Sequence, residues 1–293
     1  MSLASDAASL AIERLRPPHL AETLRWLQQD PVLHVYLTAL ALRDSLGSPH
    51  DETWAARRGG AITALLHLGG RSGAVLPHGD DPEGLRQLAE VARARRGALP
   101  ARIQVIGPSR GVDAIVSALE DEGLKPRLER SQVYMKLDPA ALPGCEPLPE
   151  LRAARAEDFP VLFETGAALR IEELDEDPRV ADPQTYARRV EEECRDGYTW
   201  LWADAEGLRF RASISAATLE AAQISGVYTP PAHRGHGFAT RGLAELCSRL
   251  LQKSRVVCLF VNDFNEPALS LYRRLGFRVI APWASAFYDP VSR

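Results

Sequence analysis

Four cysteines in 293 residues, none of them in a C-x-x-C pair, supply neither a disulfide framework nor a zinc-ligand pattern. Cys145, Cys194, Cys247 and Cys258 therefore read as reduced packing residues of a cytosolic protein. No stretch approaches the apolar run that a membrane span requires. The N-terminal segment MSLASDAASLAIERLRPP is broken by Asp6 and Glu13, so no secretory leader is expected. Neither sign of charge is in large excess: the net charge of −4 gives no ground for binding nucleic acid or an anionic membrane. What remains, at 45% hydrophobic and 25% charged residues, is the balance of a globular protein expected in the cytoplasm.

The segment LDPAALPGCEPLPE, 137–150, holds four prolines with little periodicity. Proline fixes φ and removes a donor, so this segment reads as a connection. It divides the chain into a first domain, 1–140, a linker, 141–150, and a second domain, 151–293. The two halves end alike. ARIQVIG is followed by SALEDEGLKPRLERSQVYMKLDP, and RVVCLFVN by SLYRRLGFRVIAPWASAFYDP. Each has an apolar strand, a helix, a glycine past the helix end (Gly123, Gly276) and a last alternating strand, which points to a duplicated fold.

In the second half, helices are expected from Ala156 to Leu169 and from Pro183 to Cys194. YTWLWA and LRFRASISA flank the turn DAEG as a hairpin. AAQISGVYT reads as a strand, and Thr240 to Lys253 as a helix with Leu243, Leu246, Cys247, Leu250 and Leu251 on one face. A buried strand VVCLFVN, a helix from Pro267 to Leu275 and a final strand from Phe277 complete a mixed sheet with helices on both faces, an α/β fold.

Between strand and helix runs VYTPPAHRGHGFATRGL, 227–243. A helix N-terminus carries unpaired N–H groups and partial positive charge. Gly235 and Gly237 permit φ > 0 and present no Cβ to a ligand, while Arg234 and Arg241 add charge. Three readings fit the loop taken alone: a phosphate cradle, a metal site on His233 and His236, or a turn that needs glycine. The metal reading lacks a nearby Cys, Asp or Glu to complete a shell, so no metal is expected. No G-K-[ST] follows, so the loop is not of the Walker type. Asn262 and Asn265 fall at the end of the next strand and Tyr272 on the helix after it, where ligands of such sheets bind.

Taken together, Leu151 to Asp289 resembles the GNAT acyltransferase superfamily, and the layout with EELDEDP and VNDFN resembles bacterial proteins with two GNAT domains in tandem. The resemblance implies that Arg234, Gly237 and Ala239 match the family's R/Q-x-x-G-x-G/A pattern. With Gly235, His236, Phe238 and Thr240 they would hold the diphosphate of acetyl-CoA through backbone N–H groups. It implies that Val227, Tyr228 and Thr229 hold the pantetheine arm, that Asn262 and Asn265 approach the cofactor, and that Tyr272 stands near the sulfur. Glu172 and Glu173, placed in a loop between the first helices, border the acceptor pocket and are candidates for the base. The acceptor would be a primary amine, on a small molecule or a protein.

The first half lacks this equipment. GAVLPHGDDPEGLRQL has no R-x-x-G-x-G/A, and Asp80, Asp81 and Glu83 at the helix start would repel a diphosphate. Leu119 stands where Tyr272 does, and Gly107 where Asn262 does. A GNAT-like domain without a working CoA site is expected there. The function that follows is acetyl-CoA-dependent N-acetyl transfer; the alternative is an acyl-CoA-binding regulatory protein that does not catalyse.

Overall fold

The computed structural model describes residues 9–289. Asp6 and Pro290, which figured in the sequence reading, lie outside them. The elements in chain order are β1 (Leu10–Leu15), α1 (Leu20–Leu27), α2 (Val35–Asp44), β2 (Asp51–Arg58), β3 (Ala61–Gly69), β4 (Ala74–Gly79), α3 (Pro82–Ala94), β5 (Ile103–Pro108) and α4 (Ser109–Glu120). They continue with β6 (Leu128–Leu137), β7 (Arg152–Ala153), α5 (Phe159–Leu174), α6 (Pro178–Ala181), α7 (Pro183–Asp196), β8 (Thr199–Asp204), β9 (Gly207–Ala217) and β10 (Ala221–Tyr228). The last are α8 (Phe238–Leu251), β11 (Val256–Asn262), α9 (Glu266–Arg274) and β12 (Arg278–Tyr288). The class is mixed α/β.

The described residues form two compact units: 9–134 together with 280–289, and Met135–Val279. This differs from the sequence division at both ends. The segment 135–150 belongs with the second unit, where Arg249 donates to the carbonyls of Leu151 (2.8 Å) and Leu148 (3.0 Å) and so ties the proline-rich stretch down. The strand 280–288 belongs with the first, because β12 pairs antiparallel with β5, from Trp283 opposite Pro108 to Tyr288 opposite Ile103. Ala286 and Tyr288 then enter that unit's core. Apolar alternation makes β12 a strand but does not say which sheet it joins.

In the first unit β1, β2, β3 and β4 pair antiparallel, and β4 and β5 pair parallel. Successive residues of a strand face opposite ways. Leu65 therefore joins the cluster of α1 and α2, with Trp26, Leu27 and Leu37, while Leu66 joins that of α3 and α4, with Leu88 and Ile115. Burial on both faces fixes the register, since a one-residue slip would exchange the two cores.

In the second unit β7, β8, β9 and β10 pair antiparallel and β10 and β11 parallel. Leu162 of α5 and Tyr186 and Val190 of α7 pack on Leu201 and Leu208. On α8, Leu243, Leu246, Cys247 and Leu250 are buried as their spacing requires, while Leu251 is half-buried. Gly242 permits close approach of this helix, since a Cβ there would stand 2.5 Å from the Phe210 ring.

Helices α4 and α9 end in the same way. Gly123 (φ 79°) and Gly276 (φ 90°) are left-handed. The N–H of Leu124 reaches the carbonyl of Leu119 (3.1 Å), and that of Phe277 the carbonyl of Tyr272 (3.0 Å). This is the glycine-terminated cap that both sequence endings suggest.

Candidate active site

The site is built in the second unit, where β10 and β11 part. Their parallel pairing runs from Ala221 opposite Val256 to Gln223 opposite Cys258, yet β10 continues to Tyr228 and β11 to Asn262. A register shift between Ser225 and Tyr228, with Gly226 at φ 58°, turns β10 at this point. Val227 and Tyr228 therefore lie on the diverging end of β10, with Thr229 just beyond it. The Thr229 hydroxyl is buried and has no hydrogen-bond partner.

The chain then crosses Pro230 and Pro231 into the glycine loop. Gly235 and Gly237 sit at φ 80° and 81°, and a Cβ placed on either would meet no atom within 4 Å. Space thus lies in front of both. Gly237 is the N-cap of α8 and no side chain caps the helix; the first intrahelical bond runs from Arg241 N to Gly237 O (3.0 Å). The N–H groups of Phe238, Ala239 and Thr240 are thereby left without a partner inside the helix. These observations fit the diphosphate of a CoA ester: open space, backbone donors, helix-dipole charge and no carboxylate in the loop. The helix starts two residues before the sequence expectation, which brings Phe238 and Ala239 into its first turn.

The loop's side chains are occupied with holding it in shape. Phe238 packs edge-on against Trp202, with ring centroids 5.1 Å apart and the Arg209 guanidinium 5.1 Å from its centroid. Arg209, which the sequence reading passed over, bonds Asp204 (2.8 Å), the nearby Glu206 and His233 Nδ1 (2.8 Å). His236 Nδ1 lies 2.9 Å from the carbonyl of Arg234. Arg241, expected to add charge to the loop, stacks 5.4 Å over Trp202.

Arg234 reaches elsewhere. Its Nη2 donates to both carboxylate oxygens of Glu172 (2.8 and 2.7 Å), its Nε to the carbonyl of Thr229 (3.0 Å), and its guanidinium lies 5.5 Å from the Tyr228 ring centroid. Glu172 and Glu173 are not in a loop. They occupy the last turn of α5, which runs to Leu174 and ends at a left-handed Asp175 (φ 53°). Acidic residues before a proline suggest a loop, but the helix runs through both; its first turn is tied down by Arg211. That buried side chain donates to the carbonyl of Leu162 (3.1 Å) on α5 and to Glu193 (3.2 Å) on α7.

Glu173 lies at the surface, on the last turn of α5. Loss of bulk water, with the Glu172 charge beside it, raises its carboxyl to about 7, and Arg170 acts in the opposite direction. Tyr272 on α9 is 7% exposed, packs against Phe277, and has its phenol pushed up by burial and then by the charge of Glu173. Asn265 caps α9, its Oδ1 accepting from Ala268 N (3.2 Å), and its N–H reaches the carbonyl of Asn262 (3.0 Å). The capping role occupies one side of its amide, and the Nδ2 donors remain.

The glycine loop, β10 end, β11 turn, α5 terminus and Tyr272 are thus all furnished by one unit. Among the described residues no group of three His, Cys, Asp or Glu is arranged to hold a metal ion.

The corresponding place in the first unit is built differently. The connection from β4 to α3 is only Asp80 and Asp81. Asp81 is the N-cap, and its carboxylate accepts from Arg58 (2.8 and 3.1 Å) and Thr63 (2.9 Å). Pro77 fills the space beside Gly107, where a Cβ would stand 2.7 Å from the Pro77 carbonyl. Leu119 is core. The basic run Arg93, Arg95 and Arg96 is spent on Glu90 and Glu122, on Glu52, and on the carbonyls of Pro100 and Ala101.

Residues 212–287 match the family model described as FR47-like protein. No curated protein sequence matches the chain. Among solved structures, a GCN5-related N-acetyltransferase from Sphaerobacter thermophilus is 17% identical with a TM-score of 0.59, covering 97% of this chain and 96% of that one. A tandem GNAT protein from the clavulanic acid biosynthesis pathway is 15% identical with a TM-score of 0.54, covering 97% and 100%. A Drosophila protein is 14% identical with a TM-score of 0.65, covering 96% and 99%. The fold is that of the GNAT acetyltransferases in its tandem form.

Proposed function

We propose that the chain is an acetyl-CoA-dependent N-acetyltransferase whose active site lies in the second unit and whose first unit binds no CoA. The observation that carries this reading is the uncapped N-terminus of α8, fronted by open space at Gly235 and Gly237, in the same unit as Glu173 and Tyr272. CoA would supply the acyl group as a thioester, which an amine attacks directly. Phe238, Ala239, Thr240 and the two glycines would hold its diphosphate, and the diverging end of β10 would hold its pantetheine arm. Asn262 and the Nδ2 of Asn265 would approach that arm.

An alkylammonium has a pKa of about 10.4 and must lose a proton before it attacks. Glu173 has the better claim to accept it. Its carboxyl is poised near neutrality, whereas Glu172 is engaged with Arg234. Tyr272, whose phenol burial keeps protonated, would give its proton to the departing thiolate. The acidic end of α5 favours a cationic acceptor, a primary amine of a small molecule or a protein.

Calorimetry with acetyl-CoA, CoA and ATP tests the cofactor. Binding of both CoA species at micromolar concentration and none of ATP is expected. Failure of either CoA species to bind below millimolar concentration would overturn the reading. Binding without turnover of any amine would favour a regulatory acyl-CoA receptor.

A further inference from the structure

The arginine that the loop pattern assigns to the diphosphate is engaged with a carboxylate on α5. Its Nη2 bonds both oxygens of Glu172, and its Nε and ring contact fix the side chain against Thr229 and Tyr228. We propose that Glu172 is a positioning residue that competes with the diphosphate for Arg234 and gives that side chain up as the diphosphate binds. Filling of the cofactor site and uncovering of the Glu172 carboxylate are then one event. This rests on the acyl-CoA reading of the loop.

Both partners are solvent-exposed, Arg234 at 48% and Glu172 at 41% of the side chain, and exposed ion pairs contribute little net stability. The pair is therefore cheap to break. A diphosphate brings more than one negative charge to a place already set with backbone N–H donors and the positive end of α8, and an arginine fork suits it as well as it suits a carboxylate. The Nε bond and the Tyr228 contact hold the stem of Arg234 in place while its terminal nitrogens exchange partner.

The second consequence concerns the acceptor. With Arg234 withdrawn, Glu172 and Glu173 stand as adjacent carboxylates, Glu172 without its guanidinium partner. The charge of Glu172 raises the proton affinity of Glu173, and the joint attraction of the two carboxylates for an ammonium group grows. Linkage requires the converse as well: whatever engages Glu172 must loosen Arg234 and favour CoA. Glu172 thus couples two sites on the same unit without touching the reacting atoms.

The test is CoA affinity by calorimetry in the full-length wild type, Glu172→Gln, Glu172→Asp, Arg234→Gln and the double variant Glu172→Gln/Arg234→Gln. Removal of the competing carboxylate tightens CoA binding about two- to five-fold, the range an exposed ion pair commands. Glu172→Asp keeps the pair and stays near wild type. Arg234→Gln weakens binding, and in that background Glu172→Gln changes nothing. Unchanged or weaker binding in Glu172→Gln would overturn the proposal, as would equal tightening with and without Arg234, which would mark simple repulsion between Glu172 and CoA. These outcomes presuppose CoA binding by the wild type; its absence would instead defeat the cofactor reading itself, and this inference with it.

Discussion

Tyr272, on α9, feels the charge of Glu173, on the last turn of α5: that carboxylate is the largest contribution, after burial, to the raised proton affinity of the phenol. An acid that holds its proton and a carboxyl poised near neutrality therefore share one environment. That is the arrangement required when an amine must lose a proton and a thiolate must gain one.

Tyr272→Phe retains the ring packing against Phe277 and deletes only the hydroxyl. Turnover is expected to fall about a hundred-fold or more, the scale of a lost general acid. CoA affinity stays unchanged, as single-turnover kinetics and calorimetry on the same preparation will show.

For Glu173 the sign of the pH effect is fixed by its raised pKa. The base works only when ionised, so kcat/KM rises with pH through about 7. Glu173→Gln abolishes that limb and most of the activity. Folding responds as well. A carboxyl whose folded pKa exceeds its unfolded value loses stabilisation as pH rises from 4.5 to about 7. Glu173→Gln should therefore raise Tm more at pH 8 than at pH 5.

Gly237→Ala tests the cradle. The left-handed backbone makes any Cβ cost about 1 kcal/mol, and here the Cβ also enters the open space before the helix. Gly60→Ala is the control, since that residue has φ 85° and equally open surroundings but lies in a β2–β3 turn of the first unit. Both variants lose comparable stability, and Gly237→Ala alone weakens CoA binding.

The first unit carries its own pH dependence. His34 stacks on Trp26 (4.7 Å) and meets His78 edge-on (5.3 Å), and His78 meets Trp283 (5.6 Å). Burial lowers the pKa of both histidines, and His78 Nδ1 has no hydrogen-bond partner. The unfolded chain therefore takes up protons near pH 6.5 that the folded unit refuses, so stability is lost as pH falls through that value. His78→Leu should narrow the difference in Tm between pH 8 and pH 5.

Much of this was legible beforehand because it is local. Apolar spacing in α8, glycines beyond α4 and α9, and a glycine loop between strand and helix are all written within short windows. What escaped is non-local. The bond from Arg234 to Glu172 joins segments far apart in sequence, and Arg211, which ties the first turn of α5 to α7, is an unremarkable residue of a strand until its partners are known. The sheet that receives β12 depends on the free edge of β5, which no pattern within 278–288 reveals.

The central claim is acyl transfer by the second unit, and the most direct measurement is release of free CoA thiol from acetyl-CoA across a panel of primary amines at pH 8. Wild-type protein should release thiol with at least one cationic amine and Tyr272→Phe should not, while both bind CoA equally. Equal thiol release by the two proteins, or release that never depends on an added amine, would contradict the account.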